Sequence, residues 1–426
     1  MKKLLIANRG EIARRIIRTA RAMGIATVAV HSDADARSLH AREADAAVRL
    51  PGNASADTYL RMDALMAAAR SSGADAVHPG YGFLSENADF AQAVCDAGLI
   101  WVGPPPAAIR ALGSKSGAKT LAQQHGVPCL PGYQGADQSD DRFVAEAAAI
   151  GYPVMVKATA GGGGRGMRLV TESAALPAAL QSARSEALSS FGSDELLIER
   201  ALLNPRHVEV QIFADAHGHA IHLGERDCSV QRRHQKIIEE TPSMALTPKL
   251  RQQMCEAAVT AARAVGYTNA GTVEFMLDGD ERFYFSEMNT RLQVEHRVTE
   301  RVTGLDLVEQ QIRVARGEKL KFAQTDVQFS GHSIQVRLYA EDPANQFLPS
   351  VGRVVDWHVP AGTTWVDSGV ETGSDVSVHY DPMLAKVIAH GETRHEAIAR
   401  LTQTLEGLSV QGVTTNRQFL ISAINH

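Results

Sequence analysis

Two periods of apolar and polar positions divide the chain. Residues 3–7 (KLLIA) make a short apolar run that reads as a strand, and residues 10–23 set Ile12, Ile16 and Ile17 on one side of a helix. A second strand is predicted at 27–32 (TVAVHS). The helical stretch YLRMDALMAAARSSG leads into ADAVHPGYGFLSEN, and LIWVGPPP closes the pattern. Strands alternating with helices predict a parallel sheet with right-handed crossovers. The prolines at 104–106 mark its boundary.

A second region, from about 114 to 205, is centred on YPVMVKATAGGGGRGMRLV. Between 206 and 300 the pattern changes to long strands, HVEVQIFAD, AIHLGERD and GTVEFML followed by RFYFSEMN. From about 331, HSIQVRLYAEDP opens a third region of short strands that ends in a helix around RHEAIARLTQTLEGL. The expected class is therefore α/β. No repeat of about 20–50 residues and no low-complexity tract interrupts it.

One segment, FYFSEMNTRLQVEH (283–296), carries an unusual concentration of polar groups. As extended chain it puts Glu287, Asn289, Arg291, Gln293 and Glu295 on one side, and Met288, Thr290, Leu292 and Val294 on the other. The turn signal DGDE (278–281) separates it from Glu274. Folding antiparallel with Leu277 opposite Arg282 or Tyr284 puts both glutamates on one face, directly opposed or diagonal at roughly 7–8 Å. Like charges so placed destabilise a sheet unless a cation joins them, and the oxygen set of Glu274, Glu287 and Asn289 suits Mg²⁺ beside phosphate. A solvated face paired to Arg282 or Arg291 is the plainer reading for one glutamate and the poorer one for the trio. Eight residues of straight strand span about 26 Å, so Glu295 cannot share that site. The chain is expected to bend after Asn289 and form an adjacent cluster, in which Arg291 holds a small planar oxyanion and Glu295 deprotonates it.

Bulk properties narrow the partners. The 426 residues fit about three lobes. A net charge of 43 − 48 = −5 argues against a general nucleic-acid binder. Cys95, Cys129, Cys228 and Cys255 form no C-x-x-C pair, so neither a zinc knuckle nor a disulfide framework is indicated, and a reducing cytoplasm fits. MKKLLIANRG lacks the apolar stretch of a signal peptide, and no run approaches the ~20 apolar residues of a membrane span.

The glycine run AGGGGRGM (160–167) lies between PVMVKAT and MRLV, so it joins two strands. Walker A and dinucleotide fingerprints instead lead into a helix. A hairpin tip of this kind can fold its N–H groups over phosphates, with Lys157 close by. Four consecutive glycines cost backbone entropy without return if nothing binds there. In RDCSVQRRHQKIIEE (226–240), strand parity puts Arg232, His234 and Lys236 on one face, directed at an anion. His217, His219 and His222 read as turn histidines rather than metal ligands. ANRGEIA holds a single glycine and supports a nicotinamide site only weakly.

Together, HPGYGFLSEN, GGGGRGM, ERDCSVQRRHQK, EMNTRLQVEH and YDPMLAK resemble the biotin carboxylase component of biotin-dependent carboxylases, an ATP-grasp enzyme, from residue 3 to the end of the chain. The resemblance implies an N-terminal parallel α/β domain (1–113) and an ATP-grasp domain (114–330) with a mobile glycine-rich lid (about 131–203). It also implies a C-terminal mixed α+β lobe (331–426) that stops slightly short of the family's usual end. ATP would phosphorylate bicarbonate to carboxyphosphate, whose CO₂ carboxylates N1′ of biotin on a carrier domain. Lys115 and Lys157 look like phosphate ligands, and Gly163, Gly164 and Gly166 belong to the closing lid. Glu199 and Leu202 would meet the adenine, with His207, Gln231 and His234 near the ribose. Glu274, Glu287 and Asn289 would hold Mg²⁺ or Mn²⁺. Lys236, Arg291, Gln293 and the Val294 backbone would hold bicarbonate, with Glu295 as its base. Arg337 would stabilise carboxyphosphate and the biotin enolate, and Tyr81 and Gly82 would border the biotin ring.

Two positions depart from the family. Arg297 stands where many relatives have proline, and is expected to alter the chain path or add a charge beside the base. Ala22 stands where the stand-alone bacterial enzyme carries an acid that pairs across its dimer. No Ala-Met-Lys-Met biotinylation motif occurs, so a carrier domain is expected further along a longer subunit, with a separate carboxyltransferase subunit as partner and a homodimer or larger assembly. The tail DSGVETGSDVSVHYDPMLAKVIAHG looks more like the α subunits for methylcrotonyl-, geranyl- or propionyl-CoA than the acetyl-CoA form. Two competing readings are a nucleotide-dependent oxidoreductase, which lacks its glycine fingerprint, and a non-catalytic ATP-binding regulator, which intact Glu295, Lys236 and Arg337 disfavour.

Overall fold

The computed structural model describes residues 1–159, 166–362 and 364–426. The first lobe is a parallel sheet ordered Ala46–Arg49, Ala26–His31, Lys3–Ile6, Ala76–His78, Ile100–Trp101. Helix Gly10–Ala22 connects Lys3–Ile6 to Ala26–His31. Ile12, Ile16 and Ile17 recur at helical spacing and bury one stripe of it against Leu4 and Ile6. The same core takes in Phe213, Ile221 and Ala270 from the next sheet, so the two layers share apolar contacts.

Residues 132–200 carry a small antiparallel sheet ordered Gly132–Tyr133, Leu196–Arg200, Val154–Ala158, Arg168–Val170. Helices Asp140–Ile150 and Leu176–Phe191 cover it through Phe143, Leu176 and Leu180. The glycine run does join two antiparallel strands, Val154 pairing with Val170. Gly163 and Gly164 lie outside the described residues. Gly166 has φ +69°, and a Cβ there would sit 3.1 Å from Ala158 Cβ, so backbone angle and space both favour glycine.

The third region is not a separate set of short strands. His332–Tyr339 pairs with Gln235–Thr241, and Met383–Gly391 pairs with His332–Tyr339, so both join the long strands of 206–289 in one eight-stranded sheet. Alternation explains the merger. Ile334, Val336 and Leu338 pack with Ile238, Leu384, Val387 and Leu401 on one face, which turns Arg337 to the other.

Two parity expectations need correction. The register with Leu277 opposite Tyr284 holds from Glu274 and Glu287 onward, directly opposing the two glutamates as expected, but it fails at the hairpin tip. The tip pairs Leu277 with Phe283 and Phe275 with Phe285, and a bulge at Ser286 then brings Glu274 opposite Glu287 and Thr272 opposite Asn289. The cause is apolar. Phe285 and Met288 are both buried in one core with Phe275 and Val273, and three residues of regular strand would point them to opposite faces. Without the bulge Ser286 would oppose Glu274, and Glu287 would project from the far side. The basic stretch is likewise no single strand. Ala220–Arg232 folds back into Gln235–Thr241 through Arg233 and His234, at φ +49° and +68°. Arg232, His234 and Lys236 therefore do not share a strand face, and Gln231 is the residue opposite Lys236.

Candidate active site

The bend expected after Asn289 is present. The strand ends there, Leu292 plunges into the core shared with the N-terminal lobe, and helix His296–Thr303 starts directly after Glu295. A cavity of about 330 Å³ opens between the small sheet and the large one. Lys115, Lys157, Glu199, His207, Gln231 and His234 line it together with Lys236, Glu274, Glu287, Asn289, Arg291, Gln293, Val294, Glu295 and Arg337. A second cavity of about 470 Å³ shares Arg291, Val294 and Arg337 with the first and adds Tyr81 and Gly82. Leu202 and Gly166 lie outside both linings. Leu202 is half-buried on the segment leaving Leu196–Arg200, and Leu197, Met167 and Met276 supply the apolar wall instead.

Lys236 joins what sequence reasoning separates. Its Nζ lies 2.6 Å from Glu209, 2.8 Å from Glu274 and 2.9 Å from Glu295. Glu274 lies 2.8 Å from His207 Nε2 and accepts hydrogen bonds from Asn289 Nδ2 at 2.9 Å and Gln293 Nε2 at 3.0 Å. Arg337 donates to Glu239 at 2.6 Å and to Glu295 at 3.1 Å. Arg291 donates to Asn289 Oδ1 at 2.9 Å and to Glu86 at 2.8 Å. Lys119, at 3.0 Å, and Lys157 both grip Glu199. The far histidines are spoken for: His219 pairs with Asp215 at 2.8 Å, and His217 Nε2 lies 2.9 Å from the Gly317 carbonyl.

Three family models tile the chain: the biotin carboxylase N-terminal domain over residues 1–109, the ATP-binding domain of the carbamoyl-phosphate synthase L chain over 114–323, and the biotin carboxylase C-terminal domain over 335–426. A crystal structure of a biotin carboxylase complex with β,γ-ATP from Campylobacter jejuni superposes with a TM-score of 0.97 at 44% identity, covering 100% of this chain and 95% of that one. The chain belongs to the biotin carboxylase family. The biotin carboxylase domain dimer of Hydrogenobacter thermophilus 2-oxoglutarate carboxylase, solved with MgADP, ADP and bicarbonate, matches at 42% identity and TM-score 0.97 over 100% of this chain and 94% of that one. The mitochondrial methylcrotonoyl-CoA carboxylase subunit alpha of Rattus norvegicus is 50% identical over 426 residues. That match takes in 100% of this chain and 60% of the relative, so the chain spans about three-fifths of that subunit's length.

Charge in this cavity is finely opposed. Burial alone would raise the Glu295 carboxyl, but Lys236, Arg337 and Arg226 outweigh it and hold the group well below the usual carboxylate range. Burial is likewise outweighed at Glu274 by Lys236 and His207. Glu287 goes the other way, because burial and the neighbouring Glu274 charge both push it up and the nearest cation among the described residues, Lys115 Nζ, is 4.0 Å away. An opposed pair of carboxylates, Glu274 buried and Glu287 about 35% exposed and poorly neutralised, fits a hard divalent cation, whereas Asn289 turns its amide nitrogen to Glu274 and its oxygen to Arg291. The tighter acid clusters around Glu209 are a poorer seat, since the Lys236 ammonium already fills them.

Several further charged groups shape the site. Glu209 is fully buried between Lys236 and Arg226, at 2.6 and 2.5 Å. Its signal was available, because HVEVQIF alternates His207, Glu209 and Gln211 against Val208, Val210 and Ile212. Arg226 also donates to Gln211 at 2.8 Å and Gln293 at 3.3 Å, holding the latter amide from behind. Arg297 places a buried charge directly after the Glu295 turn. It sits inside the helix and ties Glu300 at 2.5 Å to Asp367 at 2.9 Å. Asp367 also takes Arg18 at 2.7 Å, so in this chain Arg18 pairs within its own subunit. The four cysteines are free.

Proposed function

We propose that the chain carries out ATP-dependent carboxylation of carrier-bound biotin by bicarbonate, through carboxyphosphate, as the first half-reaction of an acyl-CoA carboxylase. The observation that carries this reading is the turn Val294–Glu295, which presents one buried carboxylate to Lys236 and Arg337 where the two cavities meet. In the first cavity Lys115 and Lys157 bind ATP phosphates, Glu199 faces the base, and His207, Gln231 and His234 flank the ribose. Glu274, Glu287 and Asn289 hold Mg²⁺, which when bound offsets phosphate charge. Lys236, Arg291 and Gln293 orient bicarbonate with the Val294 backbone, and Glu295 takes its proton. A carboxylate ion-paired twice is a weak base, and it strengthens when the anion takes a share of Lys236 and Arg337. Arg337 then meets the biotin side, where Tyr81 and Gly82 border the ring. Exclusion of water by the glycine-rich lid protects a labile mixed anhydride.

We place the lobe limits at 113/114 and 330/331. The wider assignments follow the α-subunit relative: an acyl-CoA acceptor of the methylcrotonyl, geranyl or propionyl type, a biotin carrier domain, a carboxyltransferase partner, and a homodimer or larger assembly. Among the described residues no helix is long and apolar enough to cross a membrane, and a cytoplasmic site remains our assignment beside relatives that include mitochondrial proteins. The test is ADP release with Mg²⁺, bicarbonate and free biotin. Glu295→Gln should lose biotin-stimulated turnover while still binding ATP. Turnover at the parental rate would reject Glu295 as the base.

A further inference from the structure

The strand Met383–Gly391 brings a second cation to the back of the Val294–Glu295 turn. Lys386 is fully buried, yet no step above uses it. In the sheet it lies directly opposite Arg337 on one side and Asp367 on the other, so all three project from the same face. Arg337 holds the Glu295 carboxylate at 3.1 Å, while Lys386 Nζ donates to the Val294 carbonyl at 3.1 Å, the backbone oxygen immediately before Glu295. The two directly paired residues of one rung therefore hold the side chain and the main chain of the same turn. Lys386 Nζ also lies 3.1 Å from Glu11 Oε2 and 5.8 Å from the centre of the Tyr81 ring. Glu11 is buried on the first helix, and neither of its oxygens has a hydrogen-bond partner among the described residues; Lys386 is its ion-pair partner, although burial still pushes the carboxyl up.

We propose that Lys386 is a positioning residue for the bicarbonate step, locking the Val294–Glu295 peptide from the C-terminal lobe, with Glu11 as the group that holds Lys386 in place. The inference rests on the reading of Glu295 as the base and of Val294 as part of the bicarbonate seat. A peptide free to rotate at Val294 would move the Val294 backbone and the Glu295 carboxylate together, away from the anion but not away from ATP. The expected signature is therefore substrate-selective.

Steady-state ADP release by the 426-residue chain, with Mg²⁺ and free biotin, reads it out. Lys386→Met should lower kcat/KM for bicarbonate about ten- to a hundredfold, the usual scale for a group behind a catalytic ligand, while KM for ATP stays within about twofold. Lys386→Met leaves Glu11 buried without a partner and could fail to fold. The double variant Glu11→Gln/Lys386→Met removes both charges and should melt near the parent, yet keep the bicarbonate defect. Parental kcat/KM for bicarbonate in the double variant would overturn the inference and leave a purely structural ion pair. Equal losses for ATP and bicarbonate in either folded variant would overturn it too. Glu295→Gln runs alongside. If that variant turns over at the parental rate, the base assignment fails and takes Lys386 with it. If it is impaired while the double variant is parental, only the role of Lys386 fails.

Discussion

Replacing Lys236 with methionine removes one ammonium from among three carboxylates while nearly conserving volume. At 2.6, 2.8 and 2.9 Å each attraction is about 6 kcal/mol for an effective dielectric constant of about 20. Most of that is offset by the cost of stripping water from the ammonium, which the variant no longer bears. Glu209 keeps Arg226 and Glu295 keeps Arg337, so Glu274 is left worst, with His207, Asn289 and Gln293. Removing one member of a buried charge cluster costs about 3–5 kcal/mol. For a chain this long unfolding in one transition, that is roughly 3–6 °C in Tm. The pH dependence gives the sharper test. In the parent, Glu274 and Glu295 are held below their unfolded values, so their contribution is complete above about pH 4.5 and is lost only as acid takes them through their folded values. Without Lys236, burial at Glu274 is opposed chiefly by His207, and His207, no longer repelled by the ammonium, holds its proton more firmly than in the parent. The variant then regains stability by taking up that proton as pH falls. Thermal unfolding of both proteins from about pH 8 to about pH 5.5 should show a gap that is widest at the alkaline end and narrows toward the acid end. A gap that is constant with pH, or below about 1 kcal/mol, would refute the electrostatic account of this cluster.

Two further substitutions follow from the same geometry. Glu287→Gln removes a carboxylate that burial and Glu274 already push up, so the protein should melt at or above the parental temperature while the Mg²⁺ concentration for half-maximal ADP release rises about tenfold or more; an unchanged Mg²⁺ titration would remove Glu287 from the metal seat. Arg297→Met deprives Glu300 and Asp367 of one partner each, although Arg15 and Arg18 remain, and should cost about 2–3 kcal/mol in denaturant unfolding with KM for ATP unchanged; stability equal to the parent would mean that this buried network contributes nothing net.

Sequence and tertiary structure divided the description of this protein along a physical line. Local period determined the N-terminal βαβ units, the glycine hairpin and the acidic hairpin, because strand and helix spacing act over a few residues and burial follows them directly. The bend after Asn289 was also legible, since no straight strand could carry both Glu287 and Glu295 to one place. Chain order did not contain the Ser286 bulge as long as polar parity alone was followed, although the odd spacing of Phe285 and Met288 demanded it once both entered one core. The turn at Arg233–His234, the sheet shared by His332–Tyr339 with the central strands, and the convergence of Glu209, Glu274 and Glu295 on Lys236 were decided by tertiary structure. So was the pairing of Lys386 with Glu11, which are 375 positions apart in a 426-residue chain. Periodicity says which way a side chain faces. Which opposite charge meets it in a buried site depends on strands packed from distant parts of the chain, and there the cost of leaving an ion unpaired selects the partner.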